Sequence, residues 1–326
     1  MKVYVIGNGY SINLVNYLEK HNYIEPGVVD FRNLFAKGDC IPGKNGEDCY
    51  LSKINCPLLW KLGIRSIIDS EKASELINNI ISSYTLYVKR CKLRAERIDP
   101  DHPSAATYFE LNRYLKKLIL YYDGLIVDAI EKIDQNVLSQ IKFPIIDEIC
   151  SEDVVISYNY DILFERLLAI SGKEFLYVMD VHQESKKIRI FKPHGSINFD
   201  CTVKADENIY DLNLRRIGVV DFNRGKLPMQ FSNSLIIPPS GFIVGKEDSW
   251  VAKMRNGICS ALNNCCPTHI TFFGLSYDLV DRDEINEILC HLDTESTQII
   301  YINPKPAPSF DYILSQNYKK YVHKKP

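Results

Sequence analysis

Three short stretches carry residue types that can do chemistry. GNGYS, residues 7–11, follows the apolar run Lys2-Val3-Tyr4-Val5-Ile6, so a strand breaks through two glycines into a helix. Such a turn gathers backbone N–H groups and the positive end of a helix dipole at one point, which suits a phosphate and hence a nucleotide. The dehydrogenase fingerprint wants a third glycine three residues after the second; position 12 is Ile, so that fingerprint fails and a ligand-free βα corner stays open as a reading. The second stretch, Val154-Val155-Ile156-Ser157-Tyr158-Asn159-Tyr160-Asp161, delivers an amide and a carboxylate at a strand end, just as a helix begins. The third, Ile188-Arg189-Ile190-Phe191-Lys192-Pro193-His194-Gly195-Ser196, ends a strand in a histidine set between proline and glycine. Asn-x-Asp also serves as a turn or helix cap, and a lone histidine as a satisfied polar residue, so neither stretch decides anything alone.

The elements that must position these residues follow from the apolar pattern. Short β-type runs recur at 3–6, 154–158, 188–191, 235–237, 270–273 and 298–302, most without polar alternation, as expected for strands covered on both faces. Helical patterns run from Asp161 to Ile170, from about Ser249 to Asn264 and from Asp281 to Leu292, each opened by a residue able to cap N–H groups. The expected fold is α/β, a Rossmann-like doubly wound parallel sheet, in a single domain covering the chain. At about 66–140 the pattern changes to long helices, read as an inserted helical subdomain. Leu111, Leu115, Leu118, Tyr122, Leu125, Ala129 and Ile133 form an a/d-type seam, with Pro103-Ser104 as proline and cap at its start. The seam suits either internal helix packing or a subunit interface. The lysine-rich stretch Lys319 to Pro326 reads as a solvated end.

Composition narrows the classes. The 326 residues are 46% hydrophobic and 25% charged, enough for a sizeable core. The net charge is −2 and the basic pairs are dispersed, so no electrostatic footprint for nucleic acid or an anionic membrane exists. With no leader-like segment and no apolar run of spanning length, a cytosolic protein is expected. The ten cysteines are scattered, none in a Cys-x-x-Cys, and read as free thiols rather than as disulfides or a zinc site.

Taken in order, the glycine turn, Asn159-x-Asp161, His194-Gly195, Gly274-Leu275-Ser276 and Ile302-Asn303 resemble the sirtuin-like family of Rossmann-like NAD-binding proteins, and Leu235-Ile236-Ile237-Pro238-Pro239-Ser240 resembles the proline turn of its bacterial branch. The resemblance runs from residue 6 to residue 303 but rests on few residues. It implies that Gly7, Gly9 and Ser11 hold the NAD diphosphate, that Gly274 and Ser276 contact phosphate or the adenosine side, and that Asn303 faces the adenine ribose. It further implies that Asn159 and His194 flank the nicotinamide ribose as the catalytic pair, and that Asp161 lines the nicotinamide pocket. Asp30-Phe31-Arg32 resembles the sirtuin DFR but lies farther beyond Gly9 than in that family.

Two departures set the branch. Protein-deacylating sirtuins carry a zinc module of paired Cys-x-x-Cys motifs, absent here, and the interval from Asn159 to His194 is longer than theirs. Both features resemble the bacterial NAD hydrolases of antiphage defence. The activity so implied is NAD glycohydrolysis to nicotinamide and ADP-ribose, with NAD as substrate, no zinc, and control through a homo-oligomer or a partner defence protein. Protein deacylation or ADP-ribosyl transfer would cleave the same bond with another nucleophile, and a non-catalytic NAD or ADP-ribose binding subunit would keep the fold alone.

Overall fold

The computed structural model describes the chain except residues 44–48, 134–142, 144, 179–185, 202–211, 214–215, 223–224, 226, 228–233, 238–248 and 279–280. Pro238-Pro239-Ser240 and the far end of the expected helical insert therefore lie outside the described residues. No helix among the described residues is long and apolar enough to cross a membrane.

The first strand, β1 (Lys2–Ile6), runs into helix α1 (Asn8–Lys20); after a long stretch of turns come α2 (Pro57–Lys61), α3 (Ser70–Arg94) and α4 (Pro103–Glu131). Strand β2 (Val154–Ser157) follows, then α5 (Leu163–Ile170), β3 (Phe175–Tyr177) and β4 (Ile188–Phe191). Three strands, β5 (Gly195–Cys201), β6 (Ile217–Val219) and β7 (Ser234–Ile236), form a separate antiparallel sheet in the order β6-β5-β7. The chain closes with α6 (Trp250–Cys265), β8 (His269–Phe273), α7 (Arg282–Cys290), β9 (Gln298–Ile302), α8 (Pro308–Asn317) and β10 (Lys320–Lys324).

The main sheet has seven strands in the order β10-β9-β8-β1-β2-β4-β3, every pair parallel. Val3, Val5, Ile6, Val154, Val155 and Ile156 are fully buried, which explains why these strands read as unbroken apolar runs: helices cover both faces. From β1 the chain builds outward on one side through β2, then returns to build β8, β9 and β10 on the other. The direction reverses between β1 and β8, and the carboxyl ends at such a reversal border a crevice where open α/β sheets bind ligands. The register makes those ends level, because Ile6 pairs with both Ser157 and Phe273, and Phe273 with Ile302.

Several expectations change. The 235–237 run belongs to the small antiparallel sheet, not the parallel one. The lysine-rich end is not merely solvated, since Lys320–Lys324 pairs with β9 as an edge strand whose exposed lysines discourage further pairing. Helix α4 is capped by the His102 ring accepting from the Ser104 N–H, with Pro103 in the first turn, so Ser104 is not the cap.

The two long helices stack Tyr84 of α3 on Tyr108 of α4 at 4.0 Å between ring centroids. They do not build a core of their own, because most of their buried apolar residues join one continuous cluster with β1, β2 and β8, while Ile119 and Leu120 pack with Ile162, Ile197 and Ile236. Helix α4 is a strut of the whole domain. Its Asn112 amide donates to the Ile236 carbonyl, its Glu110 accepts from the Leu59 N–H, and its Tyr114 and Tyr122 hydroxyls reach the carbonyls of Leu34 and Asp30. Of the two readings of the seam, internal packing is the one found: Leu111, Leu115, Leu118, Tyr122 and Ala129 are buried within the single chain. Leu118→Ala should therefore act on stability, lowering it by about 2–5 kcal/mol in urea unfolding while leaving the native mass in light scattering unchanged.

Candidate active site

All nine residues singled out from the sequence sit at the carboxyl edge of the main sheet, following β1, β2, β4, β8 and β9. Within the chain each of them already has a polar partner.

At the β1/β8 reversal the glycines serve backbone packing. The Gly7 N–H donates to the Phe273 carbonyl at 2.9 Å and the Gly9 N–H to the Gly274 carbonyl at 3.0 Å, so neither amide is spare for a phosphate. A Cβ on Gly9 would stand 2.5 Å from the Gly274 Cα, and Gly274 itself has φ of +66°, so the two loops touch main chain to main chain. Gly7 is constrained in the same way, with a Cβ 2.7 Å from the Gly274 carbonyl oxygen. What this junction leaves toward solvent are the exposed residues Asn8 and Ser276; Ser276 donates to Asp278. Asn303 braces the same loop, its amide donating to the Leu275 carbonyl while its oxygen accepts from the Lys305 N–H.

Ser11 is fully buried. Its hydroxyl donates to Asp161 Oδ2 at 2.8 Å and accepts from the Asn159 amide at 3.0 Å. Asp161 Oδ1 accepts from the Leu163 N–H, so the carboxylate both opens α5 and, through Ser11, fixes the Asn159 side chain. Both Asp161 oxygens are thus spent on positioning. Burial pushes its carboxyl up to about 6, against the lowering effects of the Lys192 charge, the Leu163 N–H and the Ser11 hydroxyl.

Beneath Asp161 lies a pair that sequence reading passed over. Lys192, with no exposed surface, donates to the Asp161 carbonyl at 2.7 Å and pairs with buried Glu165 at 3.0 Å. A lysine directly after the apolar pair Ile190-Phe191 at a strand end is costly to bury unless paired, and that position is the available signal.

His194 stands beside the same segment. Its ring packs against those of Tyr158 and Tyr160, the chain neighbours of Asn159, at 5.0 and 6.5 Å. Its backbone carbonyl accepts from the Ile237 N–H, and Gly195, at φ +80°, lets the chain turn into β5 against the Leu235 carbonyl. Nε2 of His194 lies 3.1 Å from Glu284 Oε2 and 3.9 Å from Asp281 Oδ1, and Arg255 binds the other Glu284 oxygen. Burial lowers the imidazole pKa, but the charge and hydrogen bond of Glu284, with the charge of Asp281, outweigh it and the net shift is upward; Arg255 opposes them. Glu284 is in turn held below the usual carboxylate range: burial raises it, and His194 and Arg255 more than compensate. Asp281 is raised to about 6, chiefly by burial.

Asp281, Glu284 and Arg255 escaped the sequence reading because they come from α6 and the start of α7, far along the chain. Asp281 stands where a cap is expected, yet it makes no side-chain capping bond and turns to His194 instead. A second acidic residue three positions on, at Glu284, was the available clue.

With Nε2–H donating to Glu284, Nδ1 becomes the ring atom able to take a proton, in the manner of a carboxylate-oriented histidine base. The arrangement therefore provides an oriented base beside a fixed amide. A cavity of about 860 Å³ lies elsewhere, lined by Val127, Arg166, Phe175, Tyr177 and Phe222 among others, and none of the nine residues borders it. Its Arg166 is bonded through two nitrogens to Asp123, so it offers no unpaired cation.

Fold and site together define a Rossmann-like α/β protein with a histidine–carboxylate pair at the carboxyl edge of its parallel sheet. The chain matches no protein-family model, and no curated protein matches it.

Proposed function

We propose that this protein is an NAD glycohydrolase, releasing nicotinamide and ADP-ribose, and that its biological setting is NAD depletion in antiphage defence. The observation that carries the reading is the His194–Glu284 pair set against the Tyr158–Asp161 segment, whose Asn159 is locked through Ser11 and Asp161. The setting rests on the family resemblance alone, as do a homo-oligomer or partner protein in its control.

Nicotinamide departs from C1′ as a neutral ring, so the step needs little acid and passes through a cation-like sugar. In this reading the diphosphate lies over the exposed side of the β1/β8 junction, near Asn8 and Ser276, rather than on the Gly7 and Gly9 amides. Asn159 fixes a ribose hydroxyl or the attacking water, and neutral His194 takes its proton at Nδ1. Glu284 accepts from Nε2–H and stabilises the imidazolium that forms. Asp161 acts through Ser11 as a positioning residue.

The pH profile tests this assignment. His194 must be neutral to accept a proton, and its pKa is raised from the ordinary 6.5, so activity should climb with pH through a midpoint above 6.5. Glu284→Gln removes the main raising charge and should move that midpoint to lower pH, with a lower plateau because the ring is less well oriented. An unmoved midpoint would remove His194 from the proton transfer. Adding an acylated peptide should leave the products unchanged; peptide-dependent O-acyl-ADP-ribose would favour deacylation instead.

A further inference from the structure

Helices α6 and α7 meet again one turn beyond the Arg255–Glu284 contact. There Cys259 of α6 faces Glu287 of α7 and His291 at the α7 carboxyl end, and their ligand atoms all lie within 4.8 Å of one another. Cys259 Sγ is 3.7 Å from Glu287 Oε1, which is 3.8 Å from His291 Nε2. We propose that Cys259, Glu287 and His291 form a binding site for one thiophilic divalent cation of the zinc type, bridging α6 and α7.

The ligand set has sulfur, oxygen and nitrogen donors suited to zinc, and three protein ligands leave a fourth position for water. Bond lengths of about 2.0–2.3 Å in a tetrahedron put ligand atoms roughly 3.3–3.7 Å apart, so only small side-chain rotations are needed. An independent feature points the same way. His291 Nδ1 lies 2.8 Å from Asn263 Oδ1, and an amide oxygen can only accept, so Nδ1 carries a proton and Nε2 is the ring atom turned to the cluster. Metal-bound histidines are oriented by such a partner. Asn263 lies one turn after Cys259 on α6, while Glu287 and His291 are four apart, so both helices present the set at helical spacing. Glu287 is exposed, which gives a cation access. On binding, the S–H bond breaks, a sulfur–metal bond forms and the proton passes to buffer, with no change of oxidation state.

The zinc-free expectation rests on the absence of paired Cys-x-x-Cys motifs, whereas this set is split between two helices with a strand between them. The inference does not depend on the NAD reading. It adds that a bound cation would clamp the helices that carry Arg255 and Glu284, and would stabilise the fold by mass action.

The test titrates the reduced, chelator-treated full chain with Co²⁺ and follows the thiolate-to-cobalt absorption band, then repeats the titration with Zn²⁺ by calorimetry. The expected result is a saturable band at one equivalent and a higher melting temperature with Zn²⁺. Cys259→Ser should lose the band, and His291→Ala and Glu287→Gln should bind at least tenfold more weakly. Asn263→Ala should keep the band with about 10–100-fold weaker binding. Cys266→Ser, an exposed thiol outside the set, should behave as the unaltered protein. No saturable band, a band that survives Cys259→Ser, or unaltered affinity in both His291→Ala and Glu287→Gln would overturn the site and leave only a surface Glu–His pair.

Discussion

Replacing His194 with alanine should lower the rate of NAD cleavage by about 10²–10⁴-fold while the protein stays folded. The fold should survive because Glu284, deprived of the imidazole, keeps its ion pair with Arg255 and is not left as a bare buried charge. Asn159→Ala should cost a similar factor by another route. Its amide is held by Ser11, and the Ser11–Asp161 link remains when it is removed, so the scaffold persists while the group that fixes the water or ribose hydroxyl is lost. Circular dichroism and thermal melts of both variants establish folding, and nicotinamide release measures turnover. Turnover within a few-fold of the unaltered protein in either variant would remove that residue from the chemistry.

The largest expected loss of stability comes from Lys192→Met. Lys192 and Glu165 are both buried, and removing the lysine strands the Glu165 carboxylate and takes a donor from the Asp161 carbonyl. Breaking a buried pair from one side costs about 3–5 kcal/mol. Asp161 also loses the charge that lowers its carboxyl, so its pKa should rise further above about 6. The double variant Lys192→Met with Glu165→Gln should recover much of the loss, since no unpaired charge remains. Denaturant unfolding decides: a cost below about 1 kcal/mol for Lys192→Met, or no recovery in the double variant, would show that the pair is not what holds the β2 and β4 ends together.

Much of the fold was legible in the sequence because central parallel strands announce themselves. Val3 to Ile6, Val154 to Ile156 and Ile270 to Phe273 are apolar apart from Thr271, and those runs form the middle of the sheet. The missed strands lack that signal. Phe175–Tyr177 is too short to show a period, and Lys320–Lys324 alternates at an exposed edge among lysines. The 235–237 run is as apolar as a central strand, yet it pairs antiparallel with β5, a distinction that composition does not carry.

The site was legible in its places and not in its contacts. The strand-end motifs located Ser11, Asn159, Asp161 and His194, because the ends of parallel strands face one edge whatever the loops do. The hydrogen bonds could not be foreseen. A glycine turn looks the same whether its N–H groups face a phosphate or a neighbouring loop, and here the second loop, at Gly274, takes them. Ser11 sits one helical turn into α1, where its hydroxyl meets Asp161 beyond the end of β2, a contact that no local pattern announces. Glu284 and Asp281 stayed hidden for a different reason: acidic residues opening a helix are what a helix dipole favours in any protein, so their type at that position carries no surprise.

The central claim is that this edge of the sheet cleaves the bond between nicotinamide and ribose. The most direct measurement incubates the purified protein with NAD and resolves nicotinamide, ADP-ribose and cyclic ADP-ribose by chromatography, with His194→Ala in parallel. The account predicts equimolar nicotinamide and ADP-ribose from the unaltered protein and neither above background from the variant. Stoichiometric NAD binding without cleavage, in any assembly state and with the pH taken above the His194 midpoint, would contradict it.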